Sequence, residues 1–283
     1  MAIHGVMRQY PEATIVTSGL EHDSVHEPAG QYNRRICTVP ESGVVDVSTL
    51  RSCVDDKTDL VSVMYVSNEI GTIQPIHRIS QMIRQITDDR RNKGVELPLF
   101  FHTDAAQAGN YLDLHIHRLG VDLMSVNGGK IYGPKQTGVL YVRTGVHMES
   151  LLQGGGQERS LRSGTENIAG SVGFAAALRE TQKMRRNEFV RLQQLQHSLI
   201  DQLEQKIPGV VINGSRKHRI PNNMHITLPG QYNERLQILL DEARIAVATG
   251  SACSASKQIP SRALGAIGLT KEAMYSSLRI TMG

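Results

Sequence analysis

Residues 121–142 read VDLMSVNGGKIYGPKQTGVLYV, and this stretch decides the fold. Its first six and last four residues are mostly apolar or β-branched, as in buried strands, and the Gly-Gly and Gly-Pro pairs between them indicate turns. Lys130 follows the first strand, on a turn that we predict to be mostly buried. The two residues before it are glycines, so a bulky group can approach the backbone there. Lys130 is therefore a candidate amine nucleophile toward a carbonyl, with a solvated loop lysine as the alternative.

Composition narrows the class of protein. The chain has 283 residues, of which 40% are apolar, and this favours one large domain with a smaller one. The net charge of +4 is spread along the chain, so nucleic acid is not expected as a partner. Three cysteines far apart in sequence argue against a disulfide framework and for a reducing compartment. No apolar run has membrane-spanning length and no signal-peptide pattern begins the chain, so we expect a soluble cytoplasmic protein with no membrane partner.

Polar residues follow two predicted strands. Residues 60–66, LVSVMYV, form a near-continuous apolar run, which is typical of a strand buried on both faces of a parallel sheet. A helical pattern and then a second strand at residues 97–102 come next. Asn68 follows the first strand, and Asp104 and Gln107 follow the second. This pattern predicts an α/β fold, a mainly parallel sheet with helices on both faces, and a ligand site at the carboxyl ends of its strands.

Histidines in two places can be ligands or ordinary surface residues. His22 follows a short strand at residues 13–16, where it can stack on a planar ligand or simply face solvent. His115 and His117 alternate with apolar residues in LHIHRL, which can suggest a metal. No further ligands stand at zinc-like spacing, so we predict a strand or loop face there and no metal site.

Sequence patterns in the second half of the chain predict helices and a domain boundary. Ser163-Gly164-Thr165 precedes a helical pattern, so its hydroxyls can cap a helix or bind phosphate at the helix amino terminus. Leucines at helical spacing over residues 189–207 predict a long amphipathic helix that packs in the core. The composition becomes more charged around residues 183–188. We place the domain boundary there, with a large domain at 1–182 and a smaller α+β domain at 183–283.

Two residues near the carboxyl end of the chain are candidates for a role in catalysis or substrate binding. Cys253 lies in TGSACSAS, a run of small residues rather than the large apolar neighbours that a buried cysteine usually has. Its thiol is therefore predicted to be exposed and reactive. Arg279 can bind a carboxylate through two parallel hydrogen bonds, or can be a surface charge.

Seven segments, in this order along the chain, carry a family resemblance: SNEIG, HTDAAQ, GGKIYGPK, GGGQER, RSGT, GSACSAS and SSLR. Together they resemble the NifS-like cysteine desulfurases, a branch of the class V aminotransferase family, from about residue 4 to residue 283. The resemblance implies the fold type I architecture of enzymes that use pyridoxal phosphate (PLP). It also implies a homodimer, with a large PLP-binding domain and a small domain that carries the cysteine loop.

The resemblance implies cofactor roles for five residues. Lys130 would form the Schiff base with PLP and later move protons, Asp104 would pair with the pyridinium nitrogen, and Gln107 would meet the phenolic oxygen. His22 would stack on the ring, and Thr165 would reach a phosphate bound by the partner subunit. A carboxylate beside the ring nitrogen keeps that nitrogen protonated, so the ring can absorb electrons when the substrate loses a proton.

The implied reaction converts L-cysteine to L-alanine. Asn68 and Arg279 would hold the carboxylate of the amino acid, which fixes the bond that lies over the ring. The thiolate of Cys253 would attack the sulfur of the substrate and keep it as a persulfide. The persulfide would then pass to an acceptor protein for the synthesis of iron–sulfur clusters or thio-cofactors.

The sequence departs from the family pattern at three places. The family has a serine and a histidine just before the lysine, where this chain has Asn127 and Gly129, and Asn127 can replace the serine by donating to the phosphate from its amide. The upstream Gly-Ala-Thr-Glu phosphate loop and the final helix of the family are not found in the sequence. We therefore expect a chain clipped at both ends that retains PLP weakly or not at all.

Two alternative functions stay open at this stage. HTDAAQA and the GGGQER region also resemble the selenocysteine lyases, although the cysteine in GSACSAS favours a desulfurase, because direct sulfur abstraction needs a thiol. The second alternative is a catalytically impaired remnant that dimerises or binds a partner.

Overall fold

The computed structural model describes residues 1–250 and 260–283, and their strands form two sheets. The larger sheet has six strands in the order β2-β1-β3-β4-β5-β6, and the smaller has three in the order β7-β8-β9. Strands β1 to β5 run parallel, and β6 lies antiparallel to β5 at one edge. The strand bounds are β1 Thr14–Ser18, β2 Asn33–Cys37, β3 Thr58–Ser62, β4 Phe100–Asp104, β5 Leu123–Asn127, β6 Gly138–Val142, β7 Val211–Ile212, β8 Asn223–Thr227 and β9 Ser277–Thr281.

Helices connect the parallel strands and link the two sheets. The bounds of the helices in the described residues are α1 Ala2–Met7, α2 Asp23–Ala29, α3 Val47–Ser52, α4 Ile76–Asn92, α5 Ile116–Leu119, α6 Ile168–Lys206, α7 Asn233–Glu242, α8 Arg262–Ala266 and α9 Lys271–Tyr275. Short 3₁₀ turns lie at Gly128–Lys130 and Glu158–Ser160. None of the helices just given is both long enough and apolar enough to cross a membrane.

The larger sheet separates two hydrophobic cores. Consecutive strand residues point to opposite faces, so Leu60 and Phe100 enter one core while Val61 and Phe101 enter the other. This explains the near-continuous apolar runs, since a strand covered on both faces needs apolar residues at every position. The predicted α/β architecture, with its mainly parallel sheet between helices and its smaller α+β part, is confirmed.

The smaller sheet is antiparallel and packs against the end of α6. This helix is continuous over 39 residues: Phe174 lies in the core of the larger sheet, and Ile200 lies in the core of the smaller one. The helix passes through residues 182 and 183 without a break. The predicted domain boundary therefore falls inside a helix that serves both sheets, and the division of the chain at this point stays a prediction.

Two local predictions were wrong. The LHIHRL segment was predicted to be a strand or loop face, but it contains α5, with His115 just before the helix and His117 within it. The cap of α6 is Asn167, whose side-chain oxygen accepts a hydrogen bond from the N–H of Gly170 at 2.9 Å. Asparagine is among the preferred N-cap residues, so the helix begins later than the Ser-Gly-Thr signal indicates, and Thr165 is not its cap.

Candidate active site

The carboxyl ends of the parallel strands border a cavity of about 350 Å³, called the site cavity below. Side chains from α2, β4, β5 and the turn after β5 meet there because parallel strands place their carboxyl ends at the same edge of a sheet. The polar side chains that line it include His22, His102, Asp104, Ser125, Asn127 and Lys130. Four of these, His22, Asp104, Asn127 and Lys130, are predicted site residues.

Asp104 is the last residue of β4 and is half-buried. Its Oδ1 accepts a hydrogen bond from the N–H of Ala106 at 2.9 Å, which fixes the carboxylate at the strand end. Ser125 lies opposite Asp104 on the neighbouring strand β5. A carboxylate held in this way can pair with a protonated ring nitrogen.

His102 lies two residues before Asp104 on β4, so both side chains point to the same face of the sheet. Its Nδ1 is 2.9 Å from the hydroxyl of Ser62, and its Nε2 is 2.9 Å from the hydroxyl of Ser125. Burial lowers the pKa of His102 to about 4, against a smaller opposing effect of the Asp104 carboxylate. His102 is therefore a neutral link between β3, β4 and β5. We missed it in the sequence, where its spacing from Asp104 was the available signal.

His22 is the N-cap of α2 and is half-buried at the site cavity. Its Nδ1 accepts a hydrogen bond from the N–H of Ser24 at 3.1 Å and lies 2.9 Å from the Ser24 hydroxyl. Because Nδ1 accepts, a neutral His22 ring carries its proton on Nε2. The cap thus fixes an imidazole at a position from which it can stack on a planar ligand.

Lys130 ends the 3₁₀ turn after β5, and this turn is more open than predicted. Gly128 is buried, but Gly129 and Lys130 are exposed. A side chain on Gly128 would collide with the Thr137 hydroxyl, so the protein itself fills that space. The nearest neighbour of a Cβ on Gly129 would be Oδ1 of Asn127 at 3.4 Å, so the room for a ligand lies there, beside the lysine.

Asn68 and Arg279 meet at the junction between the two sheets. Nη1 of Arg279 donates to the main-chain carbonyl of Asn68 at 3.2 Å. Nε of Arg279 is buried and has no hydrogen-bond partner among the described residues. Burial lowers the pKa of Arg279 and Glu69 opposes this effect, but a guanidinium stays charged at neutral pH. Arg279 therefore has a charged group and a donor suited to a carboxylate.

Of the predicted site residues that the structure describes, Asn68, Gln107, Thr165 and Arg279 do not line the site cavity. Gln107 is half-buried in the turn after β4. Thr165 is exposed in the segment before α6. Cys253, the predicted reactive thiol, lies outside the described residues.

Glu21, the neighbour of His22, is a buried carboxyl that we missed in the sequence. Its Oε1 accepts hydrogen bonds from the Ser18 hydroxyl at 2.6 Å and from the N–H of Met64 at 2.8 Å. Burial raises the pKa of Glu21 to about 8, against the opposing effect of these hydrogen bonds, and the Asp104 carboxylate raises it further. Most Glu21 side chains are therefore protonated at neutral pH, so Glu21 adds little negative charge beside Asp104.

The groups around the site cavity fit PLP. An amine, a carboxylate and an imidazole, from Lys130, Asp104 and His22, suit the aldehyde, the ring nitrogen and the ring face of that cofactor. Asn127 adds an amide at the same cavity. Within residues 1–250 and 260–283, no group of three or more His, Cys, Asp or Glu side chains could hold a metal ion.

Comparison with known proteins decides the family. The family model described as Aminotransferase class-V matches residues 1–283. The chain belongs to the class V aminotransferase family. The predicted resemblance is thereby confirmed.

Two curated relatives and one solved structure align with most of this chain. Cysteine desulfurase IscS of Dictyoglomus turgidum is 36% identical over 274 residues, which are 95% of this chain and 67% of that protein. Cysteine desulfurase IscS of Methanosarcina thermophila is 38% identical over 274 residues, 95% of this chain and 65% of that protein. A solved NifS-like protein from Rickettsia africae has a TM-score of 0.86 at 26% identity, over 99% of this chain and 73% of that chain. This chain thus spans about two thirds of the length of these curated relatives.

Proposed function

We propose that this chain is a PLP-dependent cysteine desulfurase that converts L-cysteine to L-alanine and transfers the sulfur to Cys253 as a persulfide. The observation that carries the proposal is the convergence of Lys130, Asp104 and His22 on one cavity at the carboxyl ends of the strands. The names of the relatives in the class V aminotransferase family support the same reaction.

Five residues would hold the cofactor. PLP, when bound, supplies a ring that draws electrons away from the α carbon of an amino acid. Lys130 would bind the aldehyde through its amine and afterwards carry a proton, and Asp104 would keep the ring nitrogen protonated. His22 would stack on the ring, Gln107 would contact the phenolic oxygen, and Asn127 would donate to the phosphate.

Three further residues would act on the substrate. Arg279 and Asn68 would bind the carboxylate of L-cysteine, which sets the orientation of the amino acid at the cavity. The Cys253 thiolate would attack the sulfur of the substrate. The bond between that sulfur and the β carbon then breaks, and the β carbon gains a proton as alanine forms.

We also propose a cytoplasmic homodimer that passes sulfur to an acceptor protein for the synthesis of iron–sulfur clusters or thio-cofactors. Ile168 and Val172 lie one helical turn apart at the start of α6, and both side chains are exposed, as are Leu152 before the helix and Met184 further along it. Neighbouring exposed apolar residues such as Ile168 and Val172 mark interaction surfaces. Thr165 lies in the same exposed stretch, and it would reach the phosphate in the partner subunit. The free thiols of Cys37 and Cys53 support a reducing compartment.

The experiment is a measurement of alanine and of protein-bound persulfide after PLP and L-cysteine are added. We expect alanine from the wild type, none from Cys253→Ala, and wild-type amounts from Cys53→Ala, which removes a cysteine remote in sequence from the proposed chemistry. Activity on selenocysteine alone, retained in Cys253→Ala, would identify a selenocysteine lyase instead. No product from either substrate with excess PLP would identify a non-catalytic binding protein.

A further inference from the structure

Ser261 connects the small domain to the turn that carries Asn68. Its hydroxyl donates to Oε2 of Glu69 at 2.6 Å, and Glu69 is only 8% exposed. The same hydroxyl accepts a hydrogen bond from the N–H of Leu264 at 3.1 Å, as the N-cap of α8. A single side chain therefore joins the start of α8 to a buried carboxyl next to a proposed substrate residue.

Arg262, the next residue, contacts the turn that carries His22. Its Nη2 donates to the main-chain carbonyl of Glu21 at 2.8 Å and to Oδ1 of Asp23 at 3.0 Å. These two acceptors flank His22 in the sequence. Asp23 is exposed, so the ion pair itself adds little stability, and the main-chain contact fixes the position of the turn.

The turn of Asn68 depends on the small domain for more than one contact. Nη1 of Arg279 and the side-chain amide of Asn223 both donate to the carbonyl of Asn68, at 3.2 and 3.4 Å. The carbonyl of Gly71 accepts a hydrogen bond from the N–H of Ile220 at 2.9 Å. The large-domain turn is thus held from the small-domain side, and its arrangement follows from how that domain docks.

The charges around Glu69 agree with this arrangement. Burial raises the pKa of Glu69, whereas the Ser261 hydrogen bond and the positive charges of Arg279 and Arg262 lower it. All three favourable groups lie in the predicted small domain, residues 183–283. Among the described residues, Ser261 is the hydrogen-bond partner of the buried Glu69 carboxyl, so burial of this carboxyl favours the arrangement in which the start of α8 stays against the Asn68 turn.

We propose that Ser261 and Arg262 form a positioning clamp with two arms, one through Glu69 to the Asn68 turn and one through Glu21 and Asp23 to the His22 turn. The two residues are adjacent in the chain, so both arms extend from the start of α8, each to a different turn. The Ser261 arm sets the position of the carboxylate site, and the Arg262 arm sets the position of the ring-stacking histidine. The clamp rests on the proposed function, because that function gives Asn68 and His22 their ligands.

The test measures two dissociation constants: that of PLP with the cofactor-free protein, and that of L-alanine with the PLP-loaded protein. For the Ser261 arm, we expect Ser261→Ala and Glu69→Leu to weaken L-alanine binding by about fivefold or more, with PLP binding unchanged. The loss of a typical hydrogen bond corresponds to about this factor. For the Arg262 arm, we expect Arg262→Met to weaken PLP binding by a similar factor.

Matched variants separate positioning from general loss of stability. Glu69→Gln keeps an oxygen that accepts from Ser261, so L-alanine binding is expected to stay near the wild-type value. Thr270→Ala removes the N-cap of α9 in the same domain, with the same chemistry as the loss of Ser261, and should change neither constant.

Two patterns would overturn the clamp. Either all variants weaken both ligands in proportion to their loss of thermal stability, or no variant changes either constant while the wild type binds both ligands normally. A wild-type protein that binds neither PLP nor L-alanine would overturn the proposed function and the clamp together.

Discussion

At the scale of single residues, burial gives two groups beside the proposed cofactor site unusual proton affinities. His102 has its pKa lowered to about 4 and Glu21 has its pKa raised to about 8, in both cases mainly through burial. Both side chains are therefore predominantly neutral at neutral pH. Asp104 is then the carboxylate available at the site cavity to pair with a cationic ring.

Glu21 should make stability depend on pH. Its pKa rises from the ordinary value of 4.5 to about 8 on folding, so its stabilising contribution is complete below pH 4.5 and is lost as the pH rises through 8. Glu21→Gln stays neutral at every pH and keeps an oxygen acceptor. The free energy of unfolding of Glu21→Gln minus that of wild type should increase by a few kcal/mol from about pH 5 to pH 8. The wild type loses stability over this range, and one pKa unit is ~1.4 kcal/mol. Urea unfolding at both pH values measures the difference, and a constant difference would contradict the assignment.

Some residues at the site were predictable from sequence and others were not. Lys130, Asp104 and His22 follow strands in polar segments, and the expectation that strand ends converge brings them to one cavity. Glu21 gave no such signal and His102 gave only its spacing from Asp104, because the roles of both depend on burial by residues distant in sequence. The exposure of Lys130 was also unpredictable, since burial of a turn residue depends on which distant segments cover it.

At the scale of elements, α6 stabilises the junction between the two sheets through Gln196. This side chain is buried, and its Nε2 donates to the main-chain carbonyls of Ile220 at 3.1 Å and Asn223 at 2.8 Å. Asn223 is also a partner of the Asn68 turn. The helix therefore stabilises the turn of Asn68 indirectly, through the contact of Gln196 with Asn223.

Replacement of Gln196 should be costly for stability. Gln196→Ala leaves two buried carbonyls without their donor, so we expect the free energy of unfolding to fall by about 1–3 kcal/mol. Gln194→Ala, on an exposed position of the same helix, should change it by less than about 0.5 kcal/mol. Chemical denaturation of both variants measures the two values, and equal losses would refute the role of Gln196.

The elements that sequence reasoning missed have a common physical cause. Strand β2 carries asparagine and two arginines and lies at an edge of the sheet, so it lacks the apolar pattern of an interior strand. The first half of α6 exposes Ile168 and Val172 instead of burying one apolar stripe, so the helical pattern after Thr165 and the helix at 189–207 were not predicted to be one continuous helix. The apolar pattern of a strand or helix is weak where that element has few neighbours within its own chain.

At the scale of the whole molecule, exposed apolar residues at the start of α6 predict self-association. Val172 is 64% exposed there, while Ile238, on α7, is 62% exposed and serves as a matched control. We expect Val172→Glu to shift the protein from dimer to monomer, because a charge buried in an interface is costly, and we expect Ile238→Glu to leave the dimer intact. Sedimentation velocity distinguishes these states, and a wild-type monomer would contradict the proposed homodimer.

The architecture as a whole was predictable from the alternation of strands and helices, but the strand order and the antiparallel edge strand β6 were not. Strand order depends on which strand pairs with which neighbour, and a single sequence does not determine this pairing. The family resemblance added the assignment of this architecture to the fold type I enzymes that use PLP.

The most direct test of the central claim is to find which lysine binds PLP. PLP is added to the protein, the complex is reduced with borohydride, and the modified peptide is identified by mass spectrometry. We predict modification of Lys130, no modification at that site in Lys130→Ala, and full modification of Lys130 in Lys135→Ala, which changes an exposed lysine on the same loop. Modification of another lysine in the wild type, or identical PLP absorbance spectra for wild type and Lys130→Ala, would contradict the account.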